Sequence, residues 1–266
     1  MKILVSGKGG VGKTTIAALL SIIFSKHGYN VLALDTDSVP NMAQSLGIPY
    51  EESEKIIPLA KNDALAEERT GARPGMGWGV LFSLTPRVDD LADKYGIRIN
   101  DRLKLVVVGS IDVSKEGCLC PAIALAKAFL LHVIISRNEV IIVDSEAGAE
   151  VFGRGLAEHF DMNITVSEPT IKSLAIAKKL IVMANELKVK NNVLVINKAM
   201  NEIEAAKLFT KVFRDYKIPY HIVRYDQNIA DLEMKGLGLN NLPEDSIAYQ
   251  DVLSLFNKVI KLLRKS

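Results

Sequence analysis

One nine-residue stretch constrains this chain more than any other: GKGGVGKTT, residues 7–15, placed directly behind the apolar run KILVS. It satisfies the spacing G-x-x-x-x-G-K-[ST] with Gly7, Gly12, Lys13 and Thr14. A strand before it and a helix after it are the setting in which that spacing makes a phosphate-binding loop. Glycines permit backbone conformations closed to other residues. Successive N–H groups of Gly7, Gly9, Gly10, Val11, Gly12, Lys13, Thr14 and Thr15 can then wrap phosphate oxygens. The helix start adds a favourable dipole. Lys13 is expected on the β- and γ-phosphates and Thr14 on a magnesium ion.

The rest of the chain fits around such a loop. Apolar runs at 2–6, 31–35, 103–109, 139–144, 163–167, 191–197 and 220–224 are mostly continuous rather than alternating. That marks strands covered on both faces. Amphipathic stretches at 14–27, 122–136, 170–188, 201–216 and 246–265 separate them. The expected fold is α/β: a doubly wound, mainly parallel sheet flanked by helices on both faces, as in P-loop NTPases. The pattern predicts one domain over 1–266. The interval 47–102 fits least well, with five glutamates between 51 and 68 and then RTGARPGMGWGV around Trp78. It reads as a solvated insertion or a partner-contact segment.

Charge sets further limits. Lysine and arginine number 33 against 31 acidic residues, a net charge of +2. With no dense basic cluster, no nucleic-acid partner is expected. No apolar segment is long enough to span a bilayer. The start MKILVSGKGG is not a signal peptide, and two cysteines suit a reducing compartment, so a cytoplasmic location is expected.

Two acidic strand ends and one strand-end amide complete the candidate site. VLALDTD places Asp35 and Asp37 two residues apart on an extended chain, where both share a face of the ligand crevice. One can serve Mg²⁺ through water, and the other can orient an attacking water. EVIIVDSEAGAE ends a strand at Asp144, which suits a magnesium role, with Gly148 four residues on. VLVINKA puts Asn197 and Lys198 past another strand, where an amide can donate to and accept from a purine edge. Met200 stands where the GTPase signature N-K-x-D needs its aspartate, which favours ATP over GTP. RYDQN at 224–228 is a candidate for the other wall of a base pocket.

Lys8, an extra basic residue inside KGGVGKT, makes this loop similar to the deviant Walker A loop of the MinD, ParA and nitrogenase-iron-protein ATPases. That resemblance implies a homodimer with ATP sandwiched between chains and Lys8 reaching the partner's nucleotide. It implies that Asp37 acts on the attacking water, Asp144 and Gly148 form a second γ-phosphate switch, and Asn197 reads adenine. The branch of the group is a separate question. The final stretch DVLSLFNKVIKLLRK carries an apolar stripe, Val252, Leu255, Phe256, Val259, Ile260 and Leu263, that suits either a lipid surface or docking on the sheet. Docking is expected, and with it no membrane partner.

GCLCPA holds both cysteines, Cys118 and Cys120, separated only by Leu119. A bridge within C-x-C would close a small, strained ring. Two small residues entering a helix is one reading. In a two-fold dimer the alternative is a set of four thiolates, tetrahedral for Zn²⁺ or square-planar for Ni²⁺. Together with DSEAGAEVFGRG, SEPTIKS and VINK, the C-x-C makes the chain resemble the CooC-type accessory ATPases of carbon monoxide dehydrogenase maturation. The resemblance implies an ATP-hydrolysing metallochaperone with Ni²⁺ or Zn²⁺ at the dimer interface, supporting nickel insertion into a client, carbon monoxide dehydrogenase. Ser38-Val39-Pro40 departs from that family's first switch. The rival readings are a MinD-like membrane-associated positioning ATPase and an iron–sulfur cluster carrier.

Overall fold

Continuous apolar runs become strands because both faces of each must be covered, and the helices between them supply the cover. The computed structural model describes residues 1–72, 83, 85–110, 121–137, 139–145 and 157–264. The strands are β1 (Lys2–Gly7), β2 (Val31–Asp35), β3 (Ile97–Asn100), β4 (Leu103–Val107), β5 (Val140–Asp144), β6 (Met162–Ser167), β7 (Asn191–Ala199) and β8 (Tyr220–Arg224). They form one sheet in the order β3-β4-β2-β5-β1-β6-β7-β8. Every pairing is parallel except β3 with β4. Every residue of β2 and β5 is buried.

The longer helices are α1 (Lys13–Lys26), α2 (Asp63–Thr70), α3 (Pro121–Ser136), α4 (Ile171–Glu186), α5 (Glu202–Phe213), α6 (Gln227–Met234) and α7 (Ile247–Leu263). Strand residues alternate between the two faces, so neighbours in sequence enter different cores. Ile3, Val5 and Val195 pack with α1 and α7 residues such as Leu20, Phe24 and Phe256. Leu4, Leu34 and Val143 pack with Leu125 and Phe129 of α3. Leu194 and Ile196 pack under Leu174 and Ile181 of α4. The doubly wound, mainly parallel α/β sheet expected from the sequence is the fold observed.

Three features depart from the sequence reading. The strand β3, IRIN, lay inside the interval treated as an insertion. It is an antiparallel edge strand with one half-buried face, and four residues alternating with Arg98 and Asn100 give little apolar signal. Much of the interval 47–102 is packed rather than projecting: Leu59, Leu65, Ala66, Val88, Leu91 and Ala92 are buried in the same cluster as α3. The short α6 was also missed. It is started by Asp226, whose side chain accepts from Asn228 N.

The apolar stripe of α7 is docked. Val252, Leu255, Phe256 and Val259 are buried, and Ile260 and Leu263 pack partly buried against the same cluster. Phe256 meets Phe24 of α1 edge-on at 4.8 Å. Among the described residues no helix is long and apolar enough to cross a membrane.

Candidate functional site

The site is built where β1 hands over to α1. Gly7 ends the strand, and a Cβ there would overlap the Val166 carbonyl of neighbouring β6. Gly12 caps α1 in the left-handed region, φ +93°. A Cβ at Gly12 would also overlap Nδ2 of Asn197. Gly12→Ala therefore combines backbone strain with displacement of a buried amide, and should weaken ATP binding by about tenfold or more. Fluorescent-nucleotide titration checks this. Wild-type affinity in the variant would show that the Asn197 approach is dispensable.

Behind the loop lies an acidic centre. Asp35 and Asp144 are register neighbours on β2 and β5. Thr14 Oγ1 donates to Asp144 Oδ2 at 2.6 Å. Among the described residues Asp144 Oδ1 has no hydrogen-bond partner, although the residue is only 1% exposed. Burial first, then the nearby Asp35 charge, pushes its carboxyl up to about 7. Lys13 and the Thr14 hydrogen bond pull the other way. Burial also raises Asp35, to about 6, against the hydrogen bonds it receives.

Those hydrogen bonds give Asp35 a different posture from the one expected for a magnesium residue. Its Oδ1 accepts from Asp37 N at 3.1 Å and its Oδ2 from Met42 N at 2.9 Å. Both oxygens thus hold the backbone of the loop after β2. Asp37 lines the cleft, and its Oδ1 accepts from Val39 N at 3.1 Å in an Asx-type turn. Thr36 anchors this segment to β5, donating through N and Oγ1 to the Asp144 carbonyl at 3.0 and 2.8 Å. The donor set left open is the Thr14 hydroxyl and the orphaned Asp144 oxygen. A hydroxyl and a carboxylate oxygen beside a phosphate loop fit a hard cation such as Mg²⁺.

Lys13 is 7% exposed, and its Nζ reaches the Lys8 carbonyl at 3.4 Å, so the loop folds back over its own lysine. The Lys8 residue itself is exposed. On the other side, Asn197 Nδ2 donates to Val11 O at 2.9 Å, and Lys198 Nζ donates to Gly10 O at 2.9 Å. The expected base readers thus spend these donors on the phosphate loop.

A cleft of about 680 Å³ joins these parts. Its lining combines Gly9, Gly10, Gly12, Lys13, Thr14, Thr15, Asp37, Asn197 and Lys198 with Tyr225, Asp226, Ile229 and Glu233. It suits a nucleotide-sized ligand. Asp226 itself is committed to structure: it accepts from Asn228 N and from Ala248 N, both at 2.9 Å, starting α6 and α7. Arg224, also in the cleft wall, is held by Asp251 at 2.7 Å. Sequence reasoning missed Ile229, Glu233 and Asn41 of the cleft, and Glu168 beside Lys198. Gly148 and the pair Cys118 and Cys120 lie outside the described residues. Among the described residues no group of three or more His, Cys, Asp or Glu side chains is placed to hold a metal ion.

Known proteins are similar to this chain in sequence and fold. The family model for the CobQ/CobB/MinD/ParA nucleotide binding domain matches residues 2–246. An uncharacterized ATP-binding protein of Methanocaldococcus jannaschii is 41% identical over 263 residues, covering 98% of both chains. The carbon monoxide dehydrogenase accessory protein CooC of Rhodospirillum rubrum is 38% identical over 242 residues, 91% of this chain and 90% of that protein. Among solved structures, the septum site-determining protein MinD of Pyrococcus horikoshii, complexed with Mg-ADP, aligns over 98% of this chain and 96% of its own. Its TM-score is 0.67 at 21% identity, which is a likeness of fold. With the phosphate loop, acidic centre and cleft in place, the chain belongs to the CobQ/CobB/MinD/ParA family of nucleotide-binding domains and is a P-loop ATPase.

Proposed function

We propose that this ATPase is a metal-handling accessory protein: a nucleotide-dependent homodimer whose paired Cys118 and Cys120 carry Ni²⁺ as cargo toward carbon monoxide dehydrogenase. The observation that carries the reading is the 38% identity to CooC across nine-tenths of both chains. The C-x-C at 118–120 supports it, because one chain offers two thiolates and a two-fold dimer offers four. Zn²⁺ suits the same sulfur set in its tetrahedral form. The segment 47–102 is the proposed client contact within a single domain.

In this reading each residue has a stated task. Backbone amides of residues 9–15 hold the phosphates, and Lys13 neutralises charge that builds on the transferring group. Thr14 and Asp144 would hold Mg²⁺, which supplies Lewis-acid charge to the phosphate oxygens. Asp35 sets the loop after β2 through its two backbone hydrogen bonds. Asp37, freed from the Val39 amide, orients the attacking water. Lys8 reaches the partner's nucleotide, and Gly148 senses the γ-phosphate. Asn197 keeps its carbonyl oxygen for the adenine amino group while its amide nitrogen serves the loop. ATP binding closes the dimer and hydrolysis opens it.

The membrane-associated reading draws less support, because the stripe that would meet lipid is buried against α1. Metal-to-protein stoichiometry measured against oligomeric state tests the proposal. About one metal ion per dimer is expected for the wild type, as four thiolates complete one site. The Cys118→Ala/Cys120→Ala variant should bind none while keeping ATP hydrolysis. Undiminished metal binding in that variant would sink the metal assignment, and a visible charge-transfer band after anaerobic reconstitution would favour an iron–sulfur carrier instead.

A further inference from the structure

Two carbonyls of the phosphate loop are each met by a side chain from the end of β7. Gly10 O accepts from Lys198 Nζ, and Val11 O accepts from Asn197 Nδ2. A trans peptide unit is planar, with its C=O and the following N–H pointing in opposite directions. Holding the Gly10 and Val11 carbonyls toward β7 therefore aims the Val11 and Gly12 N–H groups the other way. Loops of this kind bind phosphate through those N–H groups.

The placement of Lys198 is enforced locally. Its backbone is left-handed, φ +57°, an uncommon state for a residue with a side chain. The register between β7 and β8 shifts between Ile196 and Ala199, the kind of irregularity that re-aims side chains. A second anchor completes the arrangement: Glu168, at the end of β6, pairs with Lys198 at 3.5 Å. Glu168 is itself fixed, its N–H donating to Ser173 Oγ at the head of α4 at 3.0 Å. The ammonium is therefore held between a loop carbonyl and a carboxylate on the neighbouring strand.

The geometry points to Lys198 and Glu168 as a positioning pair that orients the peptide groups of the phosphate loop, in place of a contact from Lys198 to the base. Glu168 has no role in the proposed metal chemistry, so this inference stands or falls apart from Cys118 and Cys120.

Calorimetric titration of the full chain with ATP, inorganic tripolyphosphate and adenosine tests it, using Lys198→Met, Lys198→Arg and Glu168→Gln. Lys198→Met should weaken ATP and tripolyphosphate alike, by about tenfold or more, as expected for loss of a charge-assisted hydrogen bond. Adenosine affinity should not change. Lys198→Arg, which keeps an N–H donor, should recover most of the loss. Glu168→Gln should weaken both phosphate ligands by about two- to fivefold, the scale of a half-exposed ion pair. Melting temperatures should stay within a few degrees, because both side chains are partly exposed. An adenosine loss equal to the ATP loss would make Lys198 a base contact and overturn the inference. Tighter tripolyphosphate binding by Glu168→Gln would overturn it too, by showing a lysine released onto the phosphates.

Discussion

Asp144→Asn should yield a protein that is more stable than the wild type at pH 8 without nucleotide, and far less active. The side chain is 1% exposed, and burial and the Asp35 charge raise its carboxyl to about 7. A raised carboxyl favours the protonated folded state. Its contribution to stability is therefore complete below the unfolded value of 3.8 and is lost as pH climbs through about 7. Above that pH the folded protein carries a buried charge that the unfolded chain would hydrate. A shift of roughly three units corresponds to about 4 kcal/mol, and sharing of protons with Asp35 brings the expected gain nearer 2 kcal/mol. For a chain of this size that is about 5 °C in melting temperature. The gain should shrink steadily toward pH 4.

The same substitution removes the carboxylate oxygen proposed for Mg²⁺, so turnover should fall by about a hundredfold or more. Thermal scans at several pH values, beside phosphate-release assays, check both halves. Equal melting temperatures at pH 8 would mean that Asp144 does not carry a destabilising charge. Added Mg²⁺ with ADP should stabilise the wild type more at pH 8 than at pH 6, because the metal competes with the proton.

Lys13→Ala should lower kcat/KM by about 10³-fold, the scale of losing a donor aimed at developing phosphate charge. The fold should survive, since the lysine lines the cleft and is not part of an apolar core cluster. A second effect follows from its neighbours. Lys13 is one of the two influences that pull the Asp144 carboxyl down. Its removal should raise that carboxyl further, so the pH needed for Mg²⁺-dependent nucleotide binding should move upward. Lys13→Arg should not restore activity, because a planar guanidinium does not fit where a 7%-exposed ammonium folds under the loop. Retention of a tenth of wild-type activity by Lys13→Ala would place phosphoryl transfer elsewhere.

The parts of the fold that were legible in the sequence are those whose signal is local. The loop spacing identifies β1, α1 and the lysine that opens the helix. Continuous apolar runs identify the central strands, because burial on both faces leaves no alternation to read. Of the two edge strands, β8 was legible as the run at 220–224 and β3 was not: β3 is four residues long with two polar ones, and its partner β4 supplies what its own sequence lacks. Acidic residues were legible as positions but not as postures. Asp35 at a strand end could face a cation or its own loop, and the amides of Asp37 and Met42 decide for the loop. Asn197 could be placed at a strand end, but not the Val11 carbonyl that takes its amide proton. Glu168 stands inside SEPTIKS, but that stretch names no partner for it, and its pairing with Lys198 exists only because β6 and β7 lie side by side.

The place of β1 in the sheet has a consequence for how the chain is made. Its neighbours are β5 and β6, with Ile3 opposite Ile142 on one side and Met162 on the other. β1 therefore leaves the ribosome well over a hundred residues ahead of its partners. Contacts so distant in sequence are slow to form, and unpaired apolar strands invite association with other chains. The KILVSG segment must wait, open-edged, for about 160 residues of synthesis at roughly 5–20 residues per second. The phosphate loop is itself incomplete during that time, because Asn197, whose amide holds the Val11 carbonyl, arrives later still. The sensitivity of a nascent chain of this kind to aggregation should be greatest in the roughly 8–32 seconds before β6 appears.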